Sequence, residues 1–163
     1  MVAKLTWQKT SDDPVKLVVT GEITEFADLA RLQAELGPET ELDLGGITKV
    51  NSSGVREWMN FMQAVTAAGQ HLVLRRCSVS FVTQLNMIRR FAGGARIASI
   101  LTPYACLECE TATERLLELT PGLDVAAQVA APLPCPTCGA ATVFDDMHGV
   151  YFAFLADDDK ASR

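Results

Sequence analysis

Two short stretches of the chain bring reactive side chains close together in sequence. The first is a pair of C-x-x-C motifs, Cys106-Leu107-Glu108-Cys109 and Cys135-Pro136-Thr137-Cys138, with 25 residues between them. Each tight turn presents two sulfurs on one side, so two such knuckles can wrap one tetrahedral Zn²⁺ in four thiolates. The proline and the following glycine of "CPTCG" are residues that such a turn favours. A closed shell leaves no position for water or substrate, so the expected zinc is structural. A redox C-x-x-C, two disulfides and unrelated free thiols are the competing readings, with iron as the rival metal. His148, ten residues past Cys138, is a candidate substitute ligand, but with four cysteines present it reads as a surface or packing histidine. Cys77, alone after "LVLRR", reads as a small buried hydrophobe.

The second group is Asn51-Ser52-Ser53-Gly54, within "ELDLGGITKVNSSGVREWMNFM". A strand-like run ends there and an amphipathic run begins. Ser52 or Ser53 at a helix N-terminus would satisfy orphan backbone N–H groups, and capping alone would account for a serine. Glu57 lies where the helix dipole favours an acid. The same turn could also be a place where a phosphate is put on and taken off.

Periodicity predicts the strands and helices around both stretches. Leu5 to Lys9 and Val15 to Thr20 read as a hairpin around "TSDDP". Phe26, Leu29, Leu32 and Leu36 form a helical stripe closed by Gly37-Pro38. "ELDL" is a short strand ending at Gly45-Gly46. Val55, Trp58, Met59, Met62 and Val65 give one apolar helix face, ended near Gly69. "HLVL" is a strand; Phe81 or Val82, Leu85, Ile88 and Ala92 mark a third helix, stopped by Gly93-Gly94; "ARIASIL" is a last strand. Strands separated by such helices imply βαβ crossovers, so residues 1–101 read as one α/β domain with a mixed sheet. Beyond Pro103, "TATERLLEL" reads as a short helix, "TPGLDVAAQVAAPLP" as a connection and "GVYFAFL" as a final strand. Residues 102–155 then form a zinc-ribbon-like module with few large apolar groups, in which a metal supplies missing folding free energy. Residues 156–163 read as a flexible tail.

The run "ELDLGGITKVNSSGVREWMNFMQAVTAAGQHLVL" resembles the central stretch of the STAS family, the sulfate transporter and anti-sigma factor antagonist domains. The family pattern is a strand, a glycine-containing turn, Asp-Ser-Ser/Thr-Gly, a helix and a strand, and the likeness extends from "VVTGEIT" to about Leu101. It implies a STAS-like mixed sheet with amphipathic helices. In the antagonist branch the serine after the aspartate is phosphorylated by a partner kinase, and the phosphate breaks the complex. Carried onto this chain, that serine is Ser52. Phosphorylation there would add about two negative charges, which a helix N-terminus accepts and a docked partner need not. The family's aspartate is replaced here by Asn51, which carries no charge.

Function classes narrow accordingly. The chain has 163 residues, 48% of them hydrophobic, with a net charge of −6. An acidic body repels nucleic acid and anionic membranes. Between Ala105 and Leu155 Arg115 is the only basic residue, against seven acidic ones, which counts against phosphate-backbone binding by the cysteine module. Arg75, Arg76, Arg89, Arg90 and Arg96 read as solvated ends of elements. No apolar run would span a bilayer, and "MVAKLTWQKT" lacks a signal-peptide core, so a cytoplasmic setting with reduced thiols is expected. Neither His71 nor His148 lies near a plausible nucleophile and carboxylate, so no enzyme activity is expected. The expected function is a protein-interaction module in bacterial signalling, with Asn51, Ser52, Ser53, Gly54, Arg56, Glu57 and Asn60 as its contact surface. Its expected partners are proteins, an anti-sigma-factor-like kinase among them, and a homo-oligomer is compatible with this class. The alternative is a STAS-like sensor of a small ligand, a nucleotide or a lipid.

Overall fold

Alternation of apolar and polar residues along the first strands sets up a sheet with one buried face. A computed structural model describes residues 3–156. Strands β1 (Thr6–Asp12) and β2 (Val15–Ile23) form an antiparallel hairpin, and β3 (Glu39–Val50), β4 (His71–Arg75) and β5 (Arg96–Ile97) follow. The spatial order is β1-β2-β3-β4-β5, and every pairing after the hairpin is parallel. The crossovers carry α1 (Leu29–Ala34), α2 (Ser52–Ala67) and α3 (Val79–Met87). Right-handed crossovers that add strands in one direction place their helices on one face. On that face Leu17, Leu42, Leu44, Leu72 and Leu74 meet Leu32, Trp58, Phe61, Val65 and Phe81, all buried. The indole N–H of Trp58 donates to the Phe91 carbonyl at 2.9 Å, so the largest core side chain buries no unpaired donor.

The opposite face carries the sheet's charged residues beside the buried Val73. Glu41 of β3 pairs with Lys16 of β2 and with Arg75 of β4, each at 3.3 Å, and Asp43 pairs with Arg76 at 3.5 Å. These pairs are partly exposed and stabilise little.

A second sheet is antiparallel throughout, in the order β7-β6-β9-β8. It comprises β6 (Ser99–Cys106), β7 (Ala112–Glu118), β8 (Leu133–Pro134) and β9 (Ala141–Phe144), with α4 (Val125–Ala130) and α5 (His148–Tyr151). Strand β6 begins beside the first sheet, where Ala98 donates to Leu74 and Leu101 to Cys77, both at 2.8 Å, and then runs on to Cys106. Residues 101 and 102 are therefore consecutive in one strand. On α5, Tyr151 packs with Phe152 and Phe144, and its hydroxyl donates to the Leu101 carbonyl. The Asn86 amide on α3 donates to the Tyr151 carbonyl at 2.8 Å and accepts from the Phe154 N–H at 2.9 Å.

Several elements differ from the sequence expectation. Helix α1 starts at Leu29, capped by Asp28, and Phe26 is 72% exposed on the preceding loop. Strand β3 continues through Gly45-Gly46 to Val50, with irregular register against β2. Helix α3 ends at Met87, and turns carry the chain through Gly93-Gly94. "ARIASIL" divides between the two sheets. "TATERLLEL" is strand β7 rather than a helix, because Thr113, Arg115 and Leu117 alternate toward the interior while β6 pairs along it. "GVYFAFL" is helical rather than a strand, a geometry that buries Tyr151, Phe152 and Phe154 together. The expected connection contains α4 and β8. The tail expectation concerns residue 156 and residues 157–163, of which the latter lie outside the described residues.

Candidate metal centre and serine turn

The two C-x-x-C segments fold as matching turns. In the first, which follows β6, the Cys106 N–H donates to Thr111, and the Glu110 N–H donates back to the Cys106 carbonyl at 3.1 Å. In the second, between β8 and β9, the Cys135 N–H donates to Ala140, and the Gly139 N–H donates back to the Cys135 carbonyl at 2.9 Å. The residue after the second cysteine is left-handed in both, Glu110 at φ 58° and Gly139 at φ 77°. The antiparallel neighbours β6 and β9 bring the turns face to face. Cys106 Sγ then lies 3.5 Å from Cys138 Sγ, and Cys109 Sγ lies 3.6 Å from Cys135 Sγ. All four sulfurs fall within 4.8 Å of one another. A tetrahedral ion with metal–sulfur bonds of about 2.3 Å needs its sulfurs about 3.8 Å apart. The site therefore fits a metal ion.

The thiols share the strain of being close. The Thr111 hydroxyl, 3.1 Å from Cys109 Sγ, and the Thr111 backbone hold the Cys109 thiol down to about 6. The Ala140 backbone N–H draws Cys138 down, but the thiols of Cys106 and Cys109 outweigh it and push Cys138 up to about 12. Four such groups cannot all ionise without a compensating cation, which is what a bound metal supplies. Cys106 and Cys135 are buried, whereas Cys109 and Cys138 reach the surface. Cys77 lies elsewhere, fully buried behind β4, and burial raises its thiol well above the ordinary range. His148 begins α5, where its ring packs on Phe152.

At the start of α2 the cap is Asn51, not a serine. Its side-chain oxygen accepts from the Gly54 N–H at 2.7 Å, and its amide donates to Glu25 at 2.9 Å. That bond, the largest influence on Glu25, helps hold the carboxyl below its usual range. Ser52 and Ser53 occupy the first helical turn, exposed, and neither hydroxyl has a hydrogen-bond partner among the described residues. The helix lies against the loop after β2 so closely that a Cβ on Gly54 would sit 1.9 Å from the Ile23 carbonyl oxygen. Arg56 and Asn60 are exposed on the same helix and Glu57 is half-buried. Glu25 was not legible as part of this turn: it is 26 positions from Asn51, and only the crossover between β2 and β3 joins them. Thr111 and Glu110 were likewise hidden, although both lie within two residues of Cys109.

Among the described residues no helix is long and apolar enough to cross a membrane. No protein-family model, no curated protein and no solved structure matches the chain.

Proposed function

We propose that the chain is a non-enzymatic protein-interaction module of the STAS class, acting in bacterial signalling, with Ser52 as a phosphate acceptor and a structural zinc in its C-terminal part. The observation that carries this reading is the division of labour at the α2 N-terminus. Asn51 does the capping, so the exposed Ser52 and Ser53 hydroxyls are left without a structural task. A phosphate on Ser52 would meet the positive end of a sixteen-residue helix. Glu25, bound to the Asn51 amide, makes the unphosphorylated turn acidic without an aspartate at position 51. The order of strands and helices through β5 agrees with the STAS resemblance, and Ser52, Ser53, Arg56 and Asn60 form an exposed strip for a partner.

The test is a pull-down from the native lysate with wild type, Ser52→Asp and Ser78→Asp as bait. A partner held by wild type and lost selectively with Ser52→Asp supports a charge-sensitive docking site. Equal retention by all three assigns the turn to helix architecture alone. Zinc is the metal that four thiolates in a closed shell select best. Elemental analysis of the purified protein should find about one zinc per chain, and stoichiometric iron in its place overturns that assignment.

A further inference from the structure

A cleft of about 390 Å³ lies between the second half of α2 and the turns that follow α3. It is separate from the serine turn, since Met59 stands about 10 Å along the helix from Ser52. Its apolar lining comes from Met59, Met62, Ala67 and Gly93. Thr66 and Gln63 also face it: the Thr66 hydroxyl is already given to the Met62 carbonyl at 3.0 Å, while the exposed Gln63 brings a neutral amide to the rim. The charged group in the lining is Arg90. Arg90 is exposed, and among the described residues no carboxylate lies within ion-pair distance of it. Its backbone is left-handed, φ 63°, a conformation that costs an arginine and would cost a glycine nothing.

An open cleft in the small-ligand size range, floored by adaptable thioethers and rimmed by one unpaired cation and the neutral Gln63 amide, fits a molecule with one anionic head and an alkyl tail. A nucleotide fits poorly, because the lining offers no aromatic ring to stack a base and one cation for several phosphate charges. We propose that this cleft binds an alkyl carboxylate, its tail over Met59 and Met62 and its head on Arg90.

The test is calorimetric titration of the full chain with decanoate below its micellar concentration, against decyltrimethylammonium as the tail-matched cation. Saturable one-to-one binding of decanoate, at least tenfold tighter than the cation, is the expected result. Arg90→Gly should weaken decanoate at least tenfold while raising the melting temperature of the ligand-free protein, opposite signs that a merely destabilised variant would not give. Ala67→Phe, at an exposed position, should fill the cleft and abolish binding without lowering the melting temperature. Absence of saturable binding, equal binding of both amphiphiles, or unchanged affinity in both variants overturns the proposal.

Discussion

Asn51 and Glu25 meet side chain to side chain, amide to carboxylate, at 2.9 Å, while the other end of the same amide caps α2 at 2.7 Å. A carboxylate at position 51 could make the second contact but would repel Glu25 instead of donating to it. This explains in local terms why an asparagine can stand where the STAS resemblance leads one to expect an aspartate.

Asn51→Asp should therefore destabilise the fold at neutral pH although aspartate is as good a cap as asparagine. The Glu25 carboxyl is depressed in the folded state, so its contribution is complete above the ordinary glutamate value and is lost as pH falls through the depressed folded value. In the variant the penalty should shrink as acid protonates one of the two carboxyls. Melting temperatures of wild type and Asn51→Asp from pH 7 down to about pH 3 check the sign. A difference that stays constant with pH would remove charge repulsion as its cause.

Gly54 and Ser53 are neighbours in the first turn of α2 with opposite tolerances. A methyl on Gly54 must displace backbone at Ile23 or Thr24, so Gly54→Ala should cost about 3 kcal/mol. Ser53→Ala removes an exposed hydroxyl without a partner and should stay within about 0.5 kcal/mol of wild type. Urea denaturation of both variants gives the comparison, and similar midpoints would mean that the helix can lift from the loop at little cost.

Glu110 and Gly139 hold the same place in the two knuckles, yet only one of them is a residue that favours a left-handed backbone. Glu110→Gly should stabilise the protein by about 1 kcal/mol through relief of that conformation. The converse change, Gly139→Glu, should destabilise by a similar amount. Metal content should be unchanged in both, because neither side chain is a ligand. Thermal melts with parallel elemental analysis would show it.

What the sequence made legible was local. The knuckles, the Asn-Ser-Ser-Gly turn and the apolar face of α2 each depend on spacings of a few residues, and the structure forms turn and helix at those positions. Segments whose state is decided by a distant partner were misread. Leu116, Leu117 and Leu119 look helical in isolation, but pairing with β6 overrides that propensity. Val150 to Phe154 is rich in strand formers, yet the run turns helical against α3 and β9. Glu25 at the serine turn and Arg90 at the α2 cleft were unreadable as site residues for the same reason: crossovers of the chain bring them there.

Asn86 is the polar link between α3 and the segment that closes the second sheet. Its amide satisfies the Tyr151 carbonyl and the Phe154 N–H together, at 2.8 Å and 2.9 Å, beside the aromatic packing of Phe144, Tyr151 and Phe152. Asn86→Ala would leave both backbone groups without their partner at a half-buried position, at a cost of about 1–3 kcal/mol. Asn86→Asp keeps the acceptor for Phe154 but turns a carboxylate oxygen toward the Tyr151 carbonyl, so it should cost at least as much as alanine. The loss should appear first as faster amide exchange at Phe152 to Leu155, while the amides of α2 and β3 keep wild-type protection. Uniformly faster exchange across both sheets would instead mean that the two parts of the chain unfold as one unit, with Asn86 contributing to global rather than local stability.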